Sequence, residues 1–158
     1  MDIYIDGSSM GNPGDAGVGV IFSQAEVPVK NISRYIGRQT NNVAEYTALI
    51  TALREALEMN VRKVTIFSDS QLLCRQISGE YKVKNKNIQH LFEQAKTLLR
   101  DFDTCRIQQI PRELNKGADK LARLAIKEER SKIGRIAAHG SLKVSGEESP
   151  SSRGQRSG

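Results

Sequence analysis

Four acidic residues stand where their side chains could serve chemistry rather than only solubility. Asp6 ends an alternating apolar run that begins at Ile3, and Asp69 ends a second apolar run. Glu45 lies in the first turns of a long amphipathic segment, and Asp119 opens the last such segment. If the two apolar runs are neighbouring parallel strands, Asp6 and Asp69 end side by side at one sheet edge. The positions therefore predict one shared acidic site.

Carboxylates this close to one another repel unless cations neutralise them. A ligand set of oxygen atoms and water suits Mg²⁺ or Mn²⁺, and no His or Cys grouping in the sequence has the spacing of a zinc site. Two such ions, about 3.5 to 4 Å apart, would activate a water molecule and stabilise the leaving oxygen of a phosphoryl displacement. We therefore expect two Mg²⁺ or Mn²⁺ ions in this site.

Each carboxylate also has an ordinary structural explanation. Asp6 precedes a glycine and could be only a turn residue, and Glu45 could be a solvated carboxylate on a helix face. Asp69 could cap the helix that follows it. Asp119 could be a surface partner of Arg123, which lies four residues later on the same helix. These explanations are independent of one another, so the joint arrangement favours a metal site.

The elements that position these residues follow the order strand, strand, strand, helix, strand, helix, helix, strand, helix. Tight turns make the first three strands antiparallel, and the long helix, which Asn41 is expected to cap, allows the fourth strand to lie parallel to the first. Leu72, Leu73 and Ile77 are predicted to face inward. The predicted strands cover residues 1–6, 17–22, 27–37, 61–67 and 105–110, and the predicted helices cover residues 41–60, 70–78, 88–100 and 115–132. This order predicts an α/β fold, a five-stranded mixed sheet of three antiparallel strands and then parallel strands, with helices on both faces.

The chain as a whole has the size and composition of one folded domain with a polar extension. Its 158 residues can bury a substantial core, and its net charge of +6 favours an anionic partner, although only weakly. Residues 1–132 are predicted to form the domain, and residues 133–158 a basic, disordered tail. Cys74 and Cys105 lack a CxxC spacing and are expected to be buried, reduced thiols. Without a long apolar run or a leader segment, we expect a cytoplasmic protein with no membrane partner.

Four segments together resemble the signature blocks of a known family. They read YIDGSSMGNPGDAGVGV, RQTNNVAEYTAL, IFSDSQLL and NKGADKLARLA. In their order and spacing over residues 1 to about 130, they are similar to the type 1 ribonuclease H family. The resemblance implies a ribonuclease H-like fold and an endonuclease that cuts the RNA strand of RNA/DNA hybrids, leaving 5′-phosphate and 3′-hydroxyl ends. The four carboxylates fall on the metal-binding acidic positions of that family.

The same resemblance implies a set of substrate contacts. The residues on RNA-strand positions are Asn12, Asn42 and Gln71, and those on DNA-strand positions are Arg38, Thr40 and Asn41. Amides suit the RNA strand, because the 2′-hydroxyl that distinguishes RNA both donates and accepts a hydrogen bond. A cation and a hydroxyl near a helix start suit a phosphate, although Arg38 could also be an ordinary exposed loop cation.

The chain departs from many relatives in the loop before the last helix. Those relatives carry a histidine there, whereas Gln109 occupies the comparable place and cannot titrate. The sequence PRELNKGAD resembles the archaeal-like branch of the family, and we hypothesise that Arg112 assists at the scissile phosphate or in product release. A basic protrusion is also missing, and only Lys82, Lys84 and Lys86 remain in a short loop. We therefore expect weak, salt-sensitive hybrid binding.

Two other functions stay open at this point. The missing histidine is compatible with a nucleic-acid-binding module of the same fold that has lost turnover, although all four carboxylates are present. A metal-dependent nuclease acting on DNA is also possible, but the residues on RNA-strand positions disfavour it. With any of the three functions, we expect a monomer that needs no protein partner.

Overall fold

The computed structural model describes residues 1–143. Met1–Ile126 form one compact unit, and the described residues 127–143 belong to a second unit. The strands of the described chain are β1 (Asp2–Ser9), β2 (Gly14–Gln24), β3 (Val27–Gln39), β4 (Lys63–Ser68) and β5 (Thr104–Gln109), and its α-helices are α1 (Asn41–Glu58), α2 (Gln71–Ile77), α3 (Lys86–Leu99) and α4 (Lys116–Lys143). A short 3₁₀ turn, Arg112–Leu114, precedes α4.

One mixed sheet contains the five strands of the described chain, in the order β3-β2-β1-β4-β5. β1, β2 and β3 pair antiparallel, whereas β4 pairs parallel to both β1 and β5. The long helix α1 connects β3 to β4, and this crossover makes the parallel pairing of β1 and β4 possible. The predicted sheet is therefore confirmed.

The pairing of β1 with β4 is short. Within residues 1–143 these strands share three residue pairs, and the last is Tyr4 with Phe67, whose rings stack at 4.8 Å. β1 itself continues to Ser9 beside β2, so the prediction that it ends at Asp6 is wrong. Asp6 instead lies two residues beyond the last β1–β4 pair, where the two strands are no longer joined by their main chains.

Each face of the sheet carries a helix. On one face, apolar side chains of β1 and β2 pack against α1 in the main core, and each fully buried side chain contributes about 1.5 to 3 kcal/mol. On the other face, α4 approaches β2 so closely that a Cβ atom at Gly19 would lie 2.1 Å from the carbonyl oxygen of Ala118. Glycine at this position lets the start of α4 lie directly on the sheet, next to Asp119.

Two local predictions about the helices are wrong. Thr40, not Asn41, caps α1, because its hydroxyl accepts a hydrogen bond from the Val43 amide at 3.3 Å. The Asn41 side chain accepts from the Ser9 amide instead, at 3.2 Å. Leu72 does not face inward but is 42% exposed, because a helix turns by about 100° per residue and the buried side of α2 carries Leu73 and Ile77.

The C-terminal helix is longer than predicted. α4 continues to Lys143 rather than ending near Lys132, and its described side chains beyond Ile126 are mostly exposed. Gly134 and Gly140 each cost about 1 kcal/mol in a helix, which the neighbouring helix-forming residues can outweigh. The predicted disorder therefore does not hold for residues 133–143, and residues 144–158 lie outside the described residues. The predicted domain boundary stays a prediction.

The state of the two cysteines agrees only in part with the prediction. Cys74 and Cys105 are free thiols, as predicted, but both are half-buried rather than buried. Burial raises the pKa of each to about 11, so both thiols are protonated near neutral pH.

In the part of the chain from residue 1 to 143, no helix has both the length and the apolar character needed to cross a membrane.

Candidate functional site

Three of the four predicted carboxylates form one cluster. Asp6 on β1, Glu45 on α1 and Asp69 after β4 each offer an oxygen atom, and these atoms all lie within 4.8 Å of one another. Asp6 is only 5% exposed, and the other two are partly buried. The structure thus brings together residues that are 24 or more positions apart in the sequence.

Asp119 lies at the edge of this cluster rather than inside it. It lines the same cavity of about 380 Å³, and its negative charge contributes to the raised pKa of Asp6. Its Oδ1 atom also accepts from Nε of Arg123 at 3.1 Å, so the ion pair considered from the sequence is present. Asp119 therefore pairs with Arg123 and also lies beside the cluster. Arg123 itself lines the cavity.

Gly7 sets the position of Glu45. A Cβ atom at Gly7 would lie 2.2 Å from the carbonyl carbon of Ala44 and 2.4 Å from the amide nitrogen of Glu45. Because Gly7 has no side chain, the main chain of α1 approaches β1 at this point. The Gly7 amide then donates to Oε1 of Glu45 at 2.9 Å, which holds the carboxylate beside Asp6.

Asn115 is a residue of the site that sequence reasoning missed. It is 1% exposed, and its Nδ2 atom donates both to the Ile5 carbonyl at 2.8 Å and to Oδ2 of Asp69 at 3.0 Å. In the sequence it stands just before a helix, where asparagine is a common capping residue. The local pattern therefore explains Asn115 fully and gives no signal of a contact with Asp69.

The cluster is electrostatically strained without a cation. Burial raises the pKa of Asp6 to about 9, with further contributions from the negative charges of Glu45, Asp69 and Asp119. Burial also raises the pKa of Glu45 to about 8, although the hydrogen bond from Gly7 opposes this rise. Both shifts show that ionised carboxylates are costly here unless a positive charge compensates them.

The donor set of the cluster fits divalent ions that prefer oxygen. Three carboxylate oxygens within 4.8 Å can share an ion, and Mg²⁺ and Mn²⁺ complete such ligand sets with water. Four carboxyl groups line the cavity together with Arg112 and Arg123, so the fully ionised site carries an excess of negative charge. The residues therefore fit the predicted ions, which Asp6, Glu45 and Asp69 would hold directly.

The raised pKa values give the metal-free protein a definite pH dependence. In the unfolded chain both carboxyl groups ionise near about pH 4. In the folded chain the pKa of Asp6 is about 9 and that of Glu45 about 8. The stability that each protonated carboxyl group gives the folded chain is complete below its pKa in the unfolded chain. It is lost as the pH rises through its pKa in the folded chain. In chelator, we expect the melting temperature to fall between about pH 5 and about pH 9.

Added Mg²⁺ and one variant test this dependence. Mg²⁺ binds the ionised carboxylates, so the increase in melting temperature that it causes is expected to grow over the same pH range. Asp6→Asn cannot ionise at this position. In chelator near about pH 8, this variant is expected to exceed the natural chain in stability by at least about 1.4 kcal/mol, the equivalent of one pKa unit. Equal stability of the two chains at this pH would contradict the raised pKa of Asp6.

A second cavity, of about 420 Å³, adjoins the acidic one. Its lining residues are Asn12, Thr40, Asn41, Asn42, Glu45, Ser70, Leu72, Asn85 and Ile88. Asn41 and Glu45 line both cavities. Oδ1 of Asn12 accepts from the Asn41 amide at 3.1 Å, which ties the loop between β1 and β2 to the start of α1. Four of the six predicted substrate residues thus lie together.

The remaining predicted residues lie around the two cavities. Gln71 is the exposed first residue of α2, and Arg38 is exposed near the end of β3; neither lines the cavity. Arg112, which lies in the 3₁₀ turn, lines the acidic cavity, as the hypothesis about its role requires. Gln109 is exposed at the end of β5 and does not line the acidic cavity. Ser70 and Asn85, which sequence reasoning did not single out, cap α2 and α3.

Comparisons with known proteins give a consistent result. A family described as Reverse transcriptase-like matches residues 4–125. Ribonuclease HI of Halobacterium salinarum is 40% identical over 124 residues, which cover 78% of this chain and 62% of that protein. Three curated mycobacterial proteins are 38% identical over 122 residues, and the chain spans 34% of their length. The chain therefore covers less than two thirds of the length of these relatives.

Two solved structures match nearly their whole length. The crystal structure of RNase H1 from Halobacterium salinarum is 38% identical with a TM-score of 0.78, and the match covers 80% of this chain and 97% of that one. The crystal structure of LC11-RNase H1 in complex with RNA/DNA hybrid is 38% identical with a TM-score of 0.77, and the match covers 81% of this chain and 97% of that one.

Proposed function

Because the chain belongs to the type 1 ribonuclease H family, we propose that it is an endonuclease that hydrolyses the RNA strand of RNA/DNA hybrids. The observation that carries this proposal is the cluster of Asp6, Glu45 and Asp69, whose oxygens lie within 4.8 Å of one another in a cavity of about 380 Å³. The RNA/DNA hybrid bound by LC11-RNase H1 supports the choice of substrate.

The proposed reaction is hydrolysis of a phosphodiester. A water oxygen bonds to the phosphorus atom and gives up a proton, the bond from phosphorus to the 3′ oxygen breaks, and the 3′ oxygen takes up a proton, which leaves a 5′-phosphate and a 3′-hydroxyl. Two Mg²⁺ or Mn²⁺ ions, when bound, supply the activated water and stabilise the leaving oxygen. Asp6, Glu45, Asp69 and Asp119 would hold the ions, and Glu45 would also accept a hydrogen bond from a 2′-hydroxyl of the RNA.

The residues that line the second cavity are proposed to contact the hybrid. Asn12 and Asn42 there, with Gln71 at the start of α2, present amides to the 2′-hydroxyls of the RNA strand. Thr40 and Asn41 lie at the N-terminus of α1, whose partial positive charge favours a phosphate of the DNA strand. Contacts to sugar and phosphate fix the position of the duplex without reading its sequence.

A cleavage assay tests the proposal. The natural chain is incubated with labelled RNA/DNA hybrid, double-stranded RNA and duplex DNA, each with Mg²⁺, Mn²⁺ or chelator. We expect cleavage of the hybrid's RNA strand with either metal and none with chelator. Cleavage of duplex DNA would favour a DNA nuclease, and binding without cleavage of any substrate would favour a nucleic-acid-binding module.

Arg112 is proposed to assist at the scissile phosphate. Its guanidinium lines the acidic cavity, and its charge opposes the rise in the pKa of Glu45 that burial causes. Arg112→Ala is expected to lower kcat by about tenfold to a hundredfold, because a charged donor to the reacting phosphate is lost. Arg112→Lys keeps the charge and is expected to recover part of the loss. Turnover that is unchanged in Arg112→Ala would remove this role.

Arg38 is proposed to contact a DNA phosphate. Arg38→Ala is expected to weaken hybrid binding and to reduce the slope of log affinity against log salt by about 1, as the loss of one phosphate contact does. Arg62→Ala removes another exposed cation, just before β4, and is the matched control. Equal salt slopes for the two variants, measured by fluorescence anisotropy in Ca²⁺, would show that Arg38 is only a surface cation.

The finer predictions about partners and location are also part of the proposal. We expect a monomer without an obligate protein partner and a cytoplasmic location. Sedimentation of the natural chain, with and without hybrid, tests the first expectation.

A further inference from the structure

Asn115 joins the parts of the chain that carry three of the acidic residues. Its Nδ2 atom donates to the carbonyl of Ile5, next to Asp6 on β1, and to the carboxylate of Asp69 after β4. Its main-chain carbonyl oxygen accepts from the main-chain amide of Asp119 at 3.1 Å. One buried residue therefore contacts β1, the end of β4 and the first turn of α4.

This connection lies where the sheet provides none. The β1–β4 pairing within the described chain ends at Tyr4 with Phe67, before either strand reaches its carboxylate. Beyond this pair, the Ser68 carbonyl accepts from the amide of Ile110, the residue after β5. The end of β4 is therefore joined to the β5 side and not to β1. The Asn115 amide thus replaces the missing main-chain bond between β1 and β4 at the level of the acidic cluster.

The orientation of this amide is fixed by its partners. Both contacts of Nδ2 are to acceptors, so a flipped amide would place Oδ1 against a carbonyl and a carboxylate. In the present orientation, Oδ1 is buried and has no hydrogen-bond partner among residues 1–143. A buried acceptor without a partner is destabilising, so the donor contacts to Ile5 and Asp69 determine how the side chain lies.

From these contacts we propose that Asn115 is a positioning residue, which holds Asp69 at a fixed separation from Asp6 and thereby sets the metal affinity of the site. The proposal rests on the proposed metal-dependent function. Asn115 is 1% exposed, so it acts through Asp69 and not by contact with either substrate strand. Residues that orient metal ligands commonly change metal affinity or activity by about tenfold to a hundredfold when they are replaced.

The test measures Mn²⁺ binding by calorimetry without substrate, and kcat and KM with hybrid. Asn115→Ala is expected to weaken Mn²⁺ binding by about tenfold or more and to lower kcat, with KM for the hybrid within about twofold. Excess Mn²⁺ is expected to restore much of the turnover. Asn115→Asp keeps the shape of the side chain but loses both donors, so it is expected to be at least as impaired.

Gln76→Leu is the matched control for the loss of a buried polar side chain. Gln76 is 7% exposed and accepts from the Tyr46 hydroxyl at 2.8 Å, in the core rather than in the site. The substitution Gln76→Leu is expected to lower the melting temperature without changing Mn²⁺ affinity. If Asn115→Ala does not fold, the same measurements on Asn115→Ser, which is too short to reach both acceptors, decide the case.

Two results separate this inference from the proposed function. Unchanged Mn²⁺ affinity and unchanged kcat in the folded Asn115 variants would overturn the positioning role, whatever the enzyme's substrate. A natural chain that binds Mn²⁺ but does not cut hybrid would overturn the proposed function. In that event, weaker Mn²⁺ binding by Asn115→Ala would still support the positioning role.

Discussion

Asparagine in place of Asp69 is expected to lower the rate of hybrid cleavage by about a thousandfold. The substitution keeps the size of the side chain and an oxygen that can accept from Asn115, but it removes one negative charge from the cluster. Loss of a charged metal ligand costs several kcal/mol of transition-state stabilisation, and about 4 kcal/mol corresponds to a factor of about a thousand. Single-turnover cleavage of labelled hybrid with Mg²⁺ measures the effect.

Asp103→Asn provides the control for this substitution. Asp103 is exposed just before β5, at the opposite end of that strand from the site. The Asp103→Asn variant is expected to cleave hybrid at the natural rate.

Because Asp69→Asn also relieves charge repulsion, the Asp69→Asn variant is expected to be at least as stable as the natural chain in chelator. Cleavage by Asp69→Asn within about tenfold of the natural rate would contradict a metal-binding role for this carboxylate.

Alanine in place of Gly7 is expected to destabilise the protein by at least about 3 kcal/mol. The added Cβ atom would lie 2.2 to 2.4 Å from main-chain atoms of Ala44 and Glu45, which cannot rotate away as a side chain can. Helix α1 would have to move from β1, which separates the Glu45 carboxylate from the Gly7 amide. We expect a fall in melting temperature of about 6 °C or more, together with loss of cleavage.

Gly134→Ala is the matched control for Gly7→Ala. Gly134 lies in α4, and a Cβ atom there would meet nothing within 4 Å among the described residues. Alanine favours a helix by about 1 kcal/mol relative to glycine, so this variant is expected to be slightly more stable and equally active. A melting temperature of Gly7→Ala within about 2 °C of the natural value would show that α1 tolerates the added atom.

The sequence predicts the main lines of the fold because its signals are periodic and local. Alternating apolar residues around Ile3 and Ile5 indicate a strand, and spacings of three and four from Tyr46 to Leu53 indicate a helix. A helix of that length between strands favours a parallel crossover, which places Asp6 and Asp69 at the same sheet edge. The meeting of these two carboxylates could therefore be predicted without coordinates.

The features that could not be predicted depend on contacts between distant parts of the chain. Asn115 donates to a carbonyl 110 residues away, and nothing in its neighbourhood distinguishes this use of the side chain from helix capping. The choice of Thr40 over Asn41 as the cap of α1 depends on Ser9, whose amide occupies the asparagine oxygen. The exact end of α4 depends on small propensity differences near Gly134.

The two adjoining cavities share Asn41 and Glu45, and this common wall has a thermodynamic consequence. A cation that Glu45 holds in one cavity adds positive charge beside the other, which favours a nucleic-acid phosphate there. The resulting linkage is reciprocal: the factor by which nucleic acid strengthens ion uptake must equal the factor by which ions strengthen nucleic-acid uptake. Affinities measured for either ligand alone therefore underestimate the affinities of the ternary complex.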